Sequence, residues 1–199
     1  TPCEHSFPTR RSSDLLIWSL LLEDGMEPVS YGIIKDDYEL LKSVTQKAFN
    51  ECDMVLISGG SSVGTKDHTL KVIDSFDDGE VLVHGIAIKP GKPTIIGKHK
   101  EKIIFGLPGH PLACCIIYKI LVQNYIHSLM LQSEKIYGIN AVMSINYHKA
   151  KGREEYLPVE LETIEGMVVA KPVFGKSGII TAFSKIGRAS CRERVFAGC

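Results

Sequence analysis

The run DMVLISGG (residues 53–60) restricts the possible folds more than any other stretch of the chain. It is short, continuously apolar and closed by glycines, which is the pattern of a strand covered on both faces in a parallel sheet. Parallel neighbours cannot be joined by a tight turn and need crossover helices. The flanking segments offer them. DDYELLKSVTQKAFNE (residues 36–51) puts Leu40, Leu41, Val44, Ala48 and Phe49 on one helical face, with Asp36 and Asp37 near its N-terminus. A second helix is predicted from about Asp67 to Phe76.

The rest of the chain extends this rhythm. LIWSLLLEDG (Leu16 to Gly25) reads as a short apolar helix stopped by glycine, and EPVSYGIIK alternates like a strand. GEVLVHGIAI, KPTIIGK and KIIFGLPG are three further strand-like runs separated by Gly and Pro. PLACCIIYKILVQNYIHSLML is the longest predicted helix, apolar nearly all round and therefore buried, with Pro111 suited to its first turn. The expected fold is α/β, a three-layer, doubly wound and mostly parallel sheet, over residues 16–132. After Gln132 the texture changes to strand patterns with short turns, and residues 133–186 read as an incomplete small all-β domain. Residues 1–15 and 187–199 show no apolar periodicity and resemble translated adaptor sequence, with two natural disordered tails as the plain alternative, and are set aside as flanks.

Composition excludes some classes of function. Basic and acidic residues balance at 23 each, so nothing favours nucleic acid or an anionic membrane surface. No apolar run is expected to reach the roughly 18 residues of a membrane span, and no signal-peptide pattern is present. Cys52, Cys114 and Cys115, outside the flanks, lack zinc-ligand spacing, which points to a reduced, cytoplasmic protein.

Three loops carry candidate chemistry. In SGGSSVGTKD, after the apolar strand, Gly59, Gly60 and Gly64 permit positive φ and can turn amides toward an anion. Ser58, Ser61 and Ser62 add hydroxyls, and a helix start follows. The loop matches neither a Walker sequence nor GxGxxG, and an ordinary strand-to-helix turn is the plain alternative. Lys66 could neutralise phosphate, and Asp67 is either a helix cap or a carboxylate sharing a divalent ion with a ligand. In HGIAIKPGKPTIIG, Lys89 and Lys92 bracket a Pro-Gly turn, as paired anion contacts or as solvated surface lysines. In FGLPGHPLA, Gly106, Pro108, Gly109 and Pro111 build a stiff corner, with His110 at the position of a helix N-cap.

SGGSSVGTKD, HGIAIKPGKP and FGLPGHP, in this order, resemble the molybdopterin-binding domain of molybdopterin molybdenumtransferases, the MoeA and gephyrin E-domain family. The resemblance runs from about Leu16 to Ser184. It implies an enzyme of molybdenum cofactor biosynthesis that inserts molybdate into adenylylated molybdopterin and releases AMP, with Mg2+ required. By motif, Ser58, Gly59, Gly60, Ser61, Ser62, Gly64 and Lys66 would line the pterin and phosphate pocket, together with Pro108, Gly109, His110 and Pro111. Asp67 would hold the metal and act in catalysis with Lys89 and Lys92. A homodimer is implied for the full-length protein, with a pterin nucleotide and molybdate as its small-molecule partners and neither nucleic acid nor membrane. His110 stands where the family usually has Asn. The family's N-terminal domains and its upstream Gly-Asp-Glu segment are absent, so an internal piece of the enzyme is expected.

Two other readings stay open. A molybdopterin adenylyltransferase shares the fold, but its loop typically reads GGTG rather than GGSSVG. A domain of this type can also bind a pterin nucleotide, or serve as a scaffold, without turnover.

Overall fold

The computed structural model describes residues 8–59, 68–131, 139–148 and 152–173. Helix α1 (Pro8–Glu23) is followed by α2 (Tyr38–Glu51), strand β1 (Met54–Ser58), α3 (His68–Asp74), β2 (Gly79–His84), β3 (Ile88–Lys89), β4 (Ile95–His99) and β5 (Lys102–Leu107). A long helical run then comprises α4 (Pro111–Ile117), a π-turn (Tyr118–Val122) and α5 (Gln123–Leu129). Short strands β6 (Val142–Met143), β7 (Glu154–Glu155), β8 (Val159–Ile164) and β9 (Met167–Pro172) complete it.

The central sheet has the order β1-β5-β4-β2, with β1 at one edge. β1 and β5 are parallel, as the apolar run of β1 predicts. β4 returns antiparallel to β5, and β2 antiparallel to β4. Sequence pattern does not distinguish these directions, because a strand buried on both faces looks the same whichever way it runs. The reversal itself is local: Lys100 takes a φ of 56° between His99 and Lys102, which face each other across the hairpin.

Alternation along β5 creates the three layers. Ile104, with Val55 and Ile95, packs against Ala48 and Phe49 of α2 and Val72 and Ile73 of α3. Phe105 and Leu107 point the other way, into Ile17 and Leu20 of α1 and Cys114, Ile117 and Tyr118 of the long helix. Deleting a large aliphatic side chain from such a core costs about 2–5 kcal/mol.

Three expectations need correction. Helix α1 starts at Pro8, well inside the flank, because Ser13, Ile17 and Leu20 continue one buried stripe at helical spacing. EPVSYGIIK forms no strand; residues 26–35 carry no regular element, and Val29 and Ile33 are exposed. An alternating run needs a neighbouring ladder, and among the described residues none pairs with it. Finally, the helical run Pro111–Leu129 is long and apolar enough, by length and composition, to cross a membrane, contrary to the expectation from apolar runs. Here its Ile117, Tyr118 and Val122 are fully buried against the sheet and α1.

The helix ends follow local chemistry. Asp37 caps α2 by accepting from the Leu40 amide at 2.8 Å. Gly25, at φ 77°, closes α1: its amide donates to Leu22, and the Met26 amide to Leu21. Within that turn the Asp24 carboxylate is buried, accepting from the Tyr118 hydroxyl at 2.7 Å and the Gln123 amide nitrogen at 2.6 Å. The π-turn directly precedes Gln123, and such turns commonly mark places where a helix adjusts to make a specific contact.

The C-terminal unit is built on the β8–β9 hairpin. Its two-residue turn, Glu165 and Gly166, has φ values of 50° and 80°, both positive as a primed hairpin turn requires. β7 does not join that hairpin. It pairs in parallel with β3, matching Ile88 to Glu154 and Lys89 to Glu155, and so joins the small unit to the α/β body.

Candidate functional site

Register alone brings the three candidate corners to one end of the sheet. Ser58 at the end of β1 lies beside Leu107 at the end of β5. Ile95, the first residue of β4, pairs with Gly106, so the Pro-Gly turn before β4 enters at this same end. It is the carboxyl end of the parallel pair, where open α/β sheets collect ligands.

The first two corners touch. Gly59 has φ 88°, and its amide donates to the Leu107 carbonyl at 3.1 Å. A Cβ built on Gly109 would stand 3.2 Å from the Gly59 Cα, tighter than an ordinary contact, while Gly59 has space but a backbone conformation that strains any side chain. Pro108 and Pro111 are buried. His110 occupies the N-cap position of α4 as expected, exposed and with no side-chain cap bond to the helix amides.

The third corner is held from two sides. The Thr94 hydroxyl, fully buried, donates to the Gly91 carbonyl at 2.6 Å, and the Ile86 amide donates to the Lys92 carbonyl. Gly91, at φ 135°, lies directly on the Ile117 side chain, which a Cβ would overlap. The turn is thereby packed on the helix that starts at the second corner. Lys92 is exposed.

Lys89 is not a loosely solvated lysine. Its ammonium lies 2.8 Å from Glu155, whose side chain is only 5% exposed. Glu155 also accepts from the Tyr147 hydroxyl at 2.7 Å, and that bond pushes the Tyr147 phenol up to about 12. Among the sequence-predicted site residues, Ser58, Gly59, Lys89, Lys92, Pro108, Gly109, His110 and Pro111 are therefore placed at this end. Gly60, Ser61, Ser62, Gly64, Lys66 and Asp67 lie outside the described residues.

Sequence reading missed two contributors. Ser13, assigned to the flank, donates its hydroxyl to the Gly109 carbonyl at 2.9 Å and steadies the second corner. Its spacing to Ile17 and Leu20 was the available signal. Glu155 sits in KGREEY, which reads as a solvated charge cluster; no local pattern reveals its long-range partner. A separate cavity of about 520 Å3 lies between α2 and α3, lined by Tyr38, His68, Lys71, Asp74 and Ser75, none of them an expected site residue.

Comparison with known proteins finds two matching family models. One, described as "Probable molybdopterin binding domain", covers residues 9–128; the other, "MoeA C-terminal region (domain IV)", covers residues 140–185. A molybdopterin molybdenumtransferase of Haemophilus influenzae is 35% identical over 140 residues, which is 69% of this chain and 34% of that protein. A molybdopterin molybdenumtransferase of Bacillus subtilis is 25% identical over 178 residues, 88% of this chain and 41% of that protein. Among solved structures, a molybdopterin biosynthesis MoeA protein from Pyrococcus horikosii superimposes with a TM-score of 0.62 and 38% identity, covering 89% of this chain and 41% of that one. The chain spans about two fifths of the length of these relatives.

Proposed function

Since the chain belongs to the molybdopterin-binding domain family, we propose that it is the anion-gripping part of a molybdopterin molybdenumtransferase. In this reading it holds adenylylated molybdopterin while molybdate joins the dithiolene sulfurs, and AMP is released. The observation that carries the reading is the contact of two glycine corners, at Gly59 and Gly109, beside a third that bears Lys89 and Lys92.

The chemistry asks little covalent work of the protein. Molybdate and the phosphates are anions, and the thiolates that take up the metal belong to the substrate. The corner amides and the lysines would orient both anions and balance their charge, which lowers the barrier by positioning and electrostatics. Rigid corners would serve this better than mobile side chains, because donors fixed in advance need no reorganisation.

By motif, this reading gives magnesium to Asp67, which lies outside the described residues. Among the described residues no three His, Cys, Asp or Glu side chains gather into a metal cluster. A single carboxylate with substrate phosphate oxygens completing the shell is nevertheless a usual way of holding magnesium. Bound there, the ion would supply charge neutralisation at the phosphates. The same reading carries a cytoplasmic enzyme that is a homodimer at full length.

The deciding experiment is AMP release from adenylylated molybdopterin, measured with and without molybdate. Release that depends on molybdate is the expected result. Tight binding of the nucleotide without release would instead identify a binding or scaffold module.

A further inference from the structure

Glu155 is the feature that the transferase reading leaves unused. It is a buried carboxylate supplied by the C-terminal unit, yet one of its partners is an ammonium group on the site corner. Its backbone is tied to the same place: the Glu154 amide donates to the Ala87 carbonyl at 2.8 Å, and the Tyr156 amide to the Lys89 carbonyl at 2.9 Å. Two strands of two residues each make a poor ladder by themselves. The pairing of β3 with β7 is thus best understood through the side chains that it aligns.

We propose that Glu155 is a positioning residue that acts through Lys89, with Tyr147 holding the carboxylate in place. The physical argument runs through burial and geometry. A carboxylate that is 95% covered needs hydrogen-bonding partners, and here its Oε1 takes both the Lys89 ammonium and the Tyr147 hydroxyl. A lysine is a point charge on a flexible stem, so a fixed anion at 2.8 Å is what restricts the ammonium to one place. The pair also divides the labour of the corner. Lys89 shares its charge with Glu155 and contributes mainly a fixed donor, whereas Lys92, exposed on the other side of the turn and without an ion pair among the described residues, contributes longer-range attraction for anions. A C-terminal β unit would then be part of the site through one side chain. This inference rests on the proposed anion-binding role of Lys89.

A double-mutant cycle tests it, using Glu155→Gln, which keeps the size and an acceptor oxygen, and Lys89→Met, which keeps the stem. Two readouts are taken on the same proteins: binding of molybdate alone by calorimetry, and molybdate-dependent AMP release. Glu155→Gln is expected to weaken molybdate binding roughly fivefold, the scale of a half-exposed ion pair, and to have no effect once Lys89→Met is present. An unchanged Glu155→Gln effect in the Lys89→Met background, or no Lys89 dependence in either readout, overturns the proposal. If AMP release is absent but molybdate binding shows the non-additivity, the positioning role stands and the transferase reading falls. If AMP release is normal and the two effects simply add, the transferase reading stands and the positioning role falls. A thermal melt of each variant separates misfolding from coupling, and Glu155→Asp provides a carboxylate-retaining control if Glu155→Gln proves unstable.

Discussion

Gly59 and Gly109 stand back to back where β1 and β5 end, so close that a Cβ added to Gly109 would lie 3.2 Å from the Gly59 Cα. That approach makes one cradle out of two loops that are far apart in sequence. It also makes the cradle vulnerable to a single methyl group.

Gly109→Ala therefore separates the corners. Overpacking of this type costs about 1–3 kcal/mol, and the protein is expected to remain folded while its affinity for molybdate falls more than after Gly→Ala at Gly152, a control whose φ of 76° also strains an alanine but which has nothing within 4 Å. Denaturant unfolding and calorimetric titration of both variants check the difference.

Asp67→Ala is expected to abolish magnesium-dependent AMP release with the fold intact, because this reading makes its carboxylate the protein's ligand to the ion that neutralises the phosphates. Circular dichroism establishes the fold, and activity measured across a magnesium series establishes the role. Retained turnover with an ordinary magnesium response would remove Asp67 from the site.

Lys92→Ala is expected to weaken anion binding and to flatten its dependence on ionic strength, since an exposed charge acts over roughly a Debye length of about 8–10 Å. Titrations at low and high salt measure the slope. Lys89→Ala should change affinity with less effect on that slope, because Glu155 already offsets its charge.

Tyr118→Phe removes a hydroxyl that donates to the buried Asp24 carboxylate at 2.7 Å. Hydrogen bonds to charged groups are worth about 1.5–3 kcal/mol, so the unfolding free energy should drop by roughly that amount. Gln123 keeps its own bond to Asp24 and limits the loss.

Alkaline pH should destabilise the fold from about pH 9 upward. Burial, the largest cause, followed by Cys115 and Asp14, raises the Cys114 thiol from 9.0 to about 12. The unfolded chain then releases this proton before the folded one does. Stability is complete below pH 9 and falls between about 9 and 12, by at most ~1.4 kcal/mol per pH unit for one group. Tyr118, also raised by burial and then by Asp24, adds to the fall above pH 10. In Cys114→Ala the decline should start later, which unfolding midpoints measured from pH 8 to 11 will show.

Much of the architecture was legible because it depends on local pattern. Met54 to Ile57 is apolar without interruption because helices cover both faces, and Asp37, Gly25 and Pro111 mark helix ends by chemistry that acts within one turn. The corners were legible for the same reason: glycine and proline state their backbone needs directly. What escaped was long-range. Glu155 and Asp24 look like surface carboxylates until the partners that bury them are known. Ser13 was hidden by a flank of unusual composition, and the direction of β4 by an apolar pattern that is the same in either orientation.

One consequence follows from the place of β1 in the sheet order. Among the described strands it has β5 on one side only, so its other, apolar border pairs with no described strand. Borders of this kind zip onto foreign strands. Handled in isolation, the chain would clump through β1 as concentration rises, and its shelf life would depend on whatever shields that rim.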